Sequence, residues 1–162
     1  MADDLSAPTL MPFYDGWEAF NRLLVRAVAP LTPDRLALRV TPGQRTAAEI
    51  VGHIVSARAW WFHHTLGEGS AEVEQFYPWD DDDSPPTLNA AELEIGLETT
   101  WRLIATSLSN WTPTDLSATF TTYHGDQRTR QWVIWHVLEH DMYHGGELSL
   151  TLGAHGVAGL DL

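Results

Sequence analysis

The 162-residue sequence contains neither cysteine nor lysine. Without cysteine there are no disulfide bridges, no zinc–thiolate sites and no thiol nucleophile of the protein's own. Any reaction must therefore use a metal, water, imidazole or carboxylate groups, or a thiol carried by another molecule. Nine arginines and no lysines face 22 acidic residues, so the formal net charge is −13. The arginines are scattered and form no basic stripe, so we expect no nucleic-acid partner.

Long apolar runs are also missing, since none approaches the roughly 20 residues that a helix needs to cross a bilayer. The first residues, "MADDLSAPTL", are acidic and lack the basic and then apolar pattern of a secretory signal. These absences predict a cytoplasmic protein with no membrane partner. Apolar residues make up 44% of the chain, which is enough for one domain, residues 1–162, to bury its own core.

Apolar residues at three- and four-residue spacing predict four helices. Two of them begin with capping boxes, Thr46 with Glu49 and Asn89 with Glu92, and the fourth begins after Thr129 and ends at Gly153 in a left-handed position. The predicted helices cover residues 12–29, 46–67, 89–111 and 129–153. This pattern predicts an all-α fold, a four-helix bundle with a long crossover between the second and third helices.

The predicted crossover, residues 67–86, is the acidic stretch "GEGSAEVEQFYPWDDDDSPP". A structureless segment of this length is unusual inside a domain. Its aspartates lack the alternation and final glutamate of a calcium-binding EF-hand loop, so they are interpreted as a solvated charge run. Between the last two helices, "YHGDQ" indicates a short hairpin.

Three histidines follow one another at four-residue spacing in "HVLEHDMYHGG", residues 136–146. On a helix, residues four apart lie about 6 Å apart and can bind one ion, whereas residues eight apart lie about 12 Å apart and hardly can. His140 can therefore share an ion with His136 or with His144. His53, in the middle of the second helix, would add a third nitrogen and leave a fourth position open, as in catalytic zinc sites.

Other interpretations of the same histidines compete with this one. The first is a hydrogen-bonded histidine network without a metal. A second is a peptidase, because His136 to His140 match the His-x-x-Glu-His signature of inverted zinc proteases. Only 22 residues follow His140, which is too few for the usual downstream third ligand. The Glu-x-x-His pairs of di-iron bundles are absent from the second and fourth helices.

The segments "AAEIVGHIVSARAWWF" and "TRQWVIWHVLEHDMYHGGEL", with the tail "GLDL", resemble the DinB/YfiT-like superfamily over nearly the whole chain. The resemblance implies a four-helix bundle, often a homodimer, with one metal ligand on the second helix and two on the fourth. By position these ligands are His53, His140 and His144, whereas His136 corresponds to a histidine that does not usually bind metal. The family's common ending, His-His-Arg-Gly-Gln, is here replaced by residues 143–147, "YHGGE".

The resemblance also implies an activity, because some members are isomerases or S-transferases that use a small thiol. We therefore expect one divalent ion, zinc or nickel, a small-molecule substrate, and a transferase reaction with a small-thiol cosubstrate. The alternatives are a metal-dependent hydrolase and a non-catalytic bundle that binds metal or ligand. No catalytic residue is assigned. Residues expected to support the site are His136 and Tyr143 as proton relays, Glu147 as a partner of His144, and Ala57 and Trp60 as pocket walls.

The side of the fourth helix opposite the histidines carries a strip of apolar and small residues. Two consecutive glycines inside a helix each cost about 1 kcal/mol relative to alanine, which indicates a close neighbour. That neighbour is either another helix of the same bundle or the second subunit of a homodimer. The strip comprises Trp135, Leu138, Met142, Gly145, Gly146 and Ser149.

Overall fold

A computed structural model of the chain describes residues 8–81 and 83–161. Its four long helices confirm the predicted all-α bundle, and one short helix, α2, was not predicted. The α-helices are α1 (Asp15–Val28), α2 (Pro33–Leu36), α3 (Ala47–Ala59), α4 (Ala90–Asn110) and α5 (Arg130–Gly153). In the bundle, α4 packs against α1 and α3, and α3 also packs against α5.

Helix α3 starts as the sequence predicts and ends in an unexpected way. Thr46 and Glu49 form the predicted capping box, in which each side chain bonds the backbone N–H of the other residue. Beyond Ala59 the helix widens into a π-helix, Trp60–Thr65, before Gly67 turns the chain with a φ of 74°. Apolar periodicity has no signal for a π-helix, which is a rare variant found often at functional sites.

Helices α4 and α5 begin at the predicted caps. Asn89 forms a capping box with Glu92, and the side chain of Thr129 accepts a hydrogen bond from the backbone of α5. The predicted end of α5 is wrong in one detail, because Gly153 is still helical. The left-handed residue is Gly156, with a φ of 71°, after a further turn of chain.

The crossover is not structureless, which corrects the expectation from its composition. Residues Ala71–Asp80 form a 3-10 helix, here called the crossover helix, that packs against α3. Val73 and Phe76 are buried, each only 2% exposed, and they anchor this segment to the core. Buried apolar side chains in this acidic stretch thus help to fix its position, which its composition did not indicate.

The predicted hairpin is present as two short antiparallel strands, β1 (Thr119–Thr121) and β2 (Gln127–Thr129). Gly125 makes the turn with a φ of 84°, a conformation that favours glycine. None of the helices in the described part of the chain has both the length and the apolar character that a membrane crossing requires.

A buried ionic network ties the bundle together next to the histidine stripe. Arg58 of α3 and Asp141 of α5 are both fully buried, and Nε of Arg58 donates to Oδ2 of Asp141 at 2.9 Å. Trp17 of α1 donates to the same carboxylate at 2.6 Å, and Asn21 accepts from Arg58 at 2.7 Å. Since buried charges are costly unless paired and hydrogen-bonded, these contacts fix the relative positions of α1, α3 and α5.

Candidate metal centre

Three of the predicted site histidines meet between α3 and α5. Nε2 of His53 lies 2.9 Å from Nε2 of His140, and the ring centroids of these residues are 4.6 Å apart. The ring of His144 lies 4.5 Å from each of the other two rings. One nitrogen of each residue lies within 4.8 Å of the others, so the three side chains could hold one metal ion.

His136 lies outside this cluster. Its ring is 6.2 Å from that of His140 and stacks on Trp132 at 4.7 Å, while Trp61 meets it edge-on. Its Nδ1 lies 3.7 Å from the exposed carboxylate of Glu139. Of the two histidine pairs that helix geometry left open, the fold brings together His140 and His144. The arrangement of an inverted zinc protease, which needs the earlier pair, is therefore not formed.

Carboxylates lie beside two of the three rings, on the side away from the cluster. Nδ1 of His144 donates to Oε2 of Glu147 at 2.7 Å, so Glu147 lies where the sequence placed it. Oδ1 of Asp80, the last residue of the crossover helix, lies 2.7 Å from Nδ1 of His53, although it is off the axis of a well-aligned hydrogen bond. Sequence reasoning missed Asp80 because its neighbours make it look like part of a solvated aspartate run.

Burial favours the neutral form of two rings of the cluster, those of His140 and His144. Burial, reinforced by the neighbouring histidines, lowers the pKa of His140 to about 3 from an ordinary value of 6.5. Burial also lowers the pKa of His144, although the hydrogen bond to Glu147 opposes that change. Burial alone would raise the pKa of Asp80, but its contact with His53 and the charge of Arg45 lower it overall. Neutral imidazoles beside ionised carboxylates are the protonation states in which such groups bind metal.

This donor set fits a divalent metal ion. Three imidazole nitrogens suit zinc, copper, iron or nickel, and a carboxylate on the second ring nitrogen is a common companion of metal-binding histidine. Nδ1 of His140 is buried and has no hydrogen-bond partner among the described residues, so this ring has no such companion there. Three protein ligands also leave room for water or substrate, which a closed structural site does not.

The remaining candidates occupy the surroundings of the cluster. Tyr143 is 73% exposed and meets the ring of His144 edge-on at 4.9 Å between centroids. Ala57 is half-buried on α3, one turn beyond His53. Trp60 stacks on His64 at 3.9 Å and contacts Tyr77 edge-on. Their roles as relay and pocket walls remain predictions.

A cavity of about 240 Å³ opens beside the site, with Asp80 in its wall. Its other charged residues include Arg39 and Arg45 from the loop before α3. Nη2 of Arg45 lies 3.5 Å from Oδ1 of Asp80. Asp80 links this cavity to the cluster through its contact with His53, although none of the three histidines lines the cavity itself.

The fold and the cluster define a class, namely a helical bundle with a three-histidine group between two of its helices. A family model described as the DinB superfamily matches residues 17–148. The chain therefore belongs to the DinB superfamily, which confirms the resemblance seen in the sequence.

Solved structures show the same fold. A DinB-like protein from Bacillus cereus is similar with a TM-score of 0.74 and 20% identity, covering 97% of this chain and 99% of its own. A DinB-like protein from Bacillus subtilis is similar with a TM-score of 0.68 and 16% identity, covering 93% and 96% respectively. Comparison with curated proteins gives no significant match. At these identities the similarity establishes the fold and does not extend to a reaction.

Proposed function

We propose that the protein is a metal-dependent enzyme whose single divalent ion, zinc or nickel, is held by His53, His140 and His144. The observation that carries this proposal is the meeting of three imidazole rings, one nitrogen of each lying within 4.8 Å of the others. Glu147 accepts a hydrogen bond from Nδ1 of His144, and burial lowers the pKa of His140. The chain therefore brings one nitrogen from each of three imidazole rings to the same place.

We further propose that the reaction is a transfer to or from a small thiol cosubstrate. Since the chain has no cysteine, the thiol must come from another molecule. A divalent ion bound here would lower the pKa of a coordinated thiol and make it a nucleophile. Trp61 of the π-helix and Trp132 of α5 are half-buried and pack edge-on at 5.4 Å between centroids, which gives an apolar surface between these two elements. The small-molecule substrate would approach through the cavity beside Asp80.

Elemental analysis of untagged protein purified without chelator tests the metal site. We expect about one divalent ion per chain, loss of that ion in His53→Ala and His140→Ala, and its retention in His136→Ala, which lies outside the cluster. Full metal content in the first two variants would contradict the ligand assignment.

A panel of small electrophiles, assayed with and without small thiols, tests the reaction. Turnover that depends on both the thiol and the metal supports a transferase. Turnover with water alone would instead make the protein a hydrolase. If no electrophile reacts, and removing the metal unfolds the chain, the site is structural and the enzyme proposal fails.

A further inference from the structure

The crossover helix brings a carboxylate to the candidate metal centre from a part of the chain outside both ligand helices. Oδ1 of Asp80 lies 2.7 Å from Nδ1 of His53, on the side of the ring opposite Nε2. Its side chain is only one-third exposed. Coulombic attraction acts at this separation whatever the alignment of the hydrogen bond, so Asp80 favours the tautomer of His53 that has its proton on Nδ1.

Packing of the preceding residue sets the position of Asp80. The ring of Trp79 lies over the bare backbone of α4 at Gly96, where an added Cβ would lie 2.5 Å from Cζ3 of the ring. The carbonyl oxygen of Trp79 lies against α3 at Gly52, where a Cβ would be 3.2 Å away. Gly52 immediately precedes His53, so the same close approach joins the crossover to the ligand-bearing turn of α3.

Two more contacts hold this end of the crossover helix in place. Ser56 of α3 donates through Oγ to the carbonyl oxygen of Tyr77 at 3.0 Å. Phe76 is buried and meets the ring of Trp79 edge-on at 4.8 Å. The backbone before Asp80 is thus fixed by contacts that do not involve His53. The fold therefore sets the backbone position of Asp80 independently of the contact with His53.

We propose that the crossover helix is a positioning element of the metal site, in which Trp79, seated against Gly52 and Gly96, holds Asp80 beside His53. This inference rests on the proposed metal binding. Carboxylates in this position fix ring orientation and raise the basicity of the metal-binding nitrogen, and their loss typically lowers metal affinity 10- to 100-fold. Asp80 is therefore a positioning residue and need not touch the substrate.

The first test replaces Asp80 and measures zinc affinity by competition with a chromogenic chelator. We expect Asp80→Ala to bind zinc about 10- to 100-fold more weakly and Asp80→Asn to fall between it and wild type. The amide oxygen of asparagine can still accept a hydrogen bond but carries no charge. Asp83→Ala is the matched control, because it removes the same charge from an exposed residue of the same segment and should leave the affinity within about twofold.

The second test acts at a distance, through Gly96→Ala, whose new methyl group displaces the ring of Trp79. We expect weaker zinc binding and a changed visible absorption spectrum of the cobalt-substituted protein, with Gly16→Ala, which faces open space, as control. In the Asp80→Ala background, Gly96→Ala should have little further effect on zinc affinity, because the carboxylate that it displaces is already gone. Thermal melting of the metal-free variants separates this effect from loss of folding.

These outcomes distinguish the inference from the function on which it rests. If the wild type binds no metal, the proposed function itself fails. If the wild type binds zinc and Asp80→Ala binds it equally well, the function stands and the positioning role of Asp80 is wrong. If Gly96→Ala weakens zinc binding to the same extent with and without Asp80, Trp79 does not act through this carboxylate.

Discussion

Among the single residues, His140 and His144 have their pKa values lowered by burial inside the bundle, which destabilises the folded protein at low pH. His140 would be protonated over part of the physiological pH range if it were exposed, but burial lowers its pKa to about 3. Glu147 limits this effect for His144 through their hydrogen bond, whereas Nδ1 of His140 has no partner among the described residues. His140, whose pKa burial lowers to about 3, is also the residue that both alternative ligand pairs of the sequence shared.

The pKa of His140 predicts how the stability of the metal-free protein depends on pH. The pKa of His140 is near 6.5 in the unfolded chain and about 3 in the folded chain. At pH values between these two, the unfolded chain binds a proton that the folded chain does not. The contribution of His140 to stability is therefore complete above about pH 6.5 and is lost as the pH falls through this window. We expect the free energy of unfolding, measured with urea in the presence of chelator, to decline less steeply below pH 6.5 in His140→Gln than in wild type.

His124→Gln serves as the control for this measurement, because His124 lies exposed in the hairpin turn. It should retain the wild-type dependence of stability on pH. An unchanged slope in His140→Gln would show that His140 does not titrate with a lowered pKa in the folded protein.

At the scale of elements, the two consecutive glycines of α5 have different surroundings. A Cβ on Gly145 would lie 2.5 Å from Cζ of Phe20 and 3.5 Å from Leu160, whereas a Cβ on Gly146 would meet nothing within 4 Å. Ser149 also packs inside the chain, since its Oγ accepts from the backbone N–H of Leu160 at 2.7 Å. Part of the predicted strip thus contacts α1 and the C-terminal tail, as the interpretation of packing within one bundle requires.

These surroundings predict opposite effects of the same substitution at adjacent positions. Gly146→Ala should stabilise the protein by up to about 1 kcal/mol, because alanine favours a helix and no other part of the same chain lies near the new methyl group. Gly145→Ala should destabilise it by about 1 to 2 kcal/mol, because crowding against Phe20 exceeds the gain in helix propensity. Urea denaturation of both variants checks this, and equal effects would show that α5 does not pack on α1 as described.

The limits of prediction are also visible in the elements. Helix starts at Thr46, Asn89 and Thr129 were predictable because a cap bonds backbone groups within three residues of itself. The crossover helix could not be predicted in this way, because Val73 and Phe76 are buried when the segment packs against α3, which is a tertiary contact. Asp80 looked like a solvated acid for the same reason.

At the scale of the whole molecule, α5 leaves an apolar face uncovered. The exposed large residues of this face are Trp135 at 62%, Met142 at 55%, Tyr143 at 73% and Leu150 at 62%. This exposed face keeps Trp135 and Met142 of the predicted strip. It has Tyr143 and Leu150 in place of the strip residues that pack inside the chain. The homodimer, the single domain and the cytoplasmic location stay predictions. We expect the two subunits of the homodimer to meet at this face.

The dimer is tested by light scattering coupled to gel filtration. We expect the wild type to elute with twice the chain mass and Met142→Glu to elute as a monomer, because a buried charge would oppose an apolar contact. Ile95→Glu is the matched control, since Ile95 is 59% exposed on α4 and should leave the dimer intact. A monomeric wild type at micromolar concentration would rule out the seam.

Features that depend on neighbours along the chain could be predicted from the amino-acid sequence. It predicted the four helices, their caps, the hairpin and the histidine stripe, because periodicity and capping act over a few residues. Because the rise of a helix is fixed, the sequence also excluded an ion shared by His136 and His144. The two pairs that it left possible both contain His140. The choice of His53, His140 and His144 over His136 came from resemblance to a family.

Contacts between groups on different helices became visible in the folded chain. Folding brought His53 of α3 to His140 and His144, paired Arg58 with Asp141, and placed Asp80 of the crossover beside His53. These contacts join residues far apart in sequence, and they depend on how helices pack and on where small residues let another segment approach. Gly52 and Gly96 are examples. Nothing in the sequence distinguishes them from other glycines, whereas in the folded chain each lets Trp79 approach the helix backbone closely.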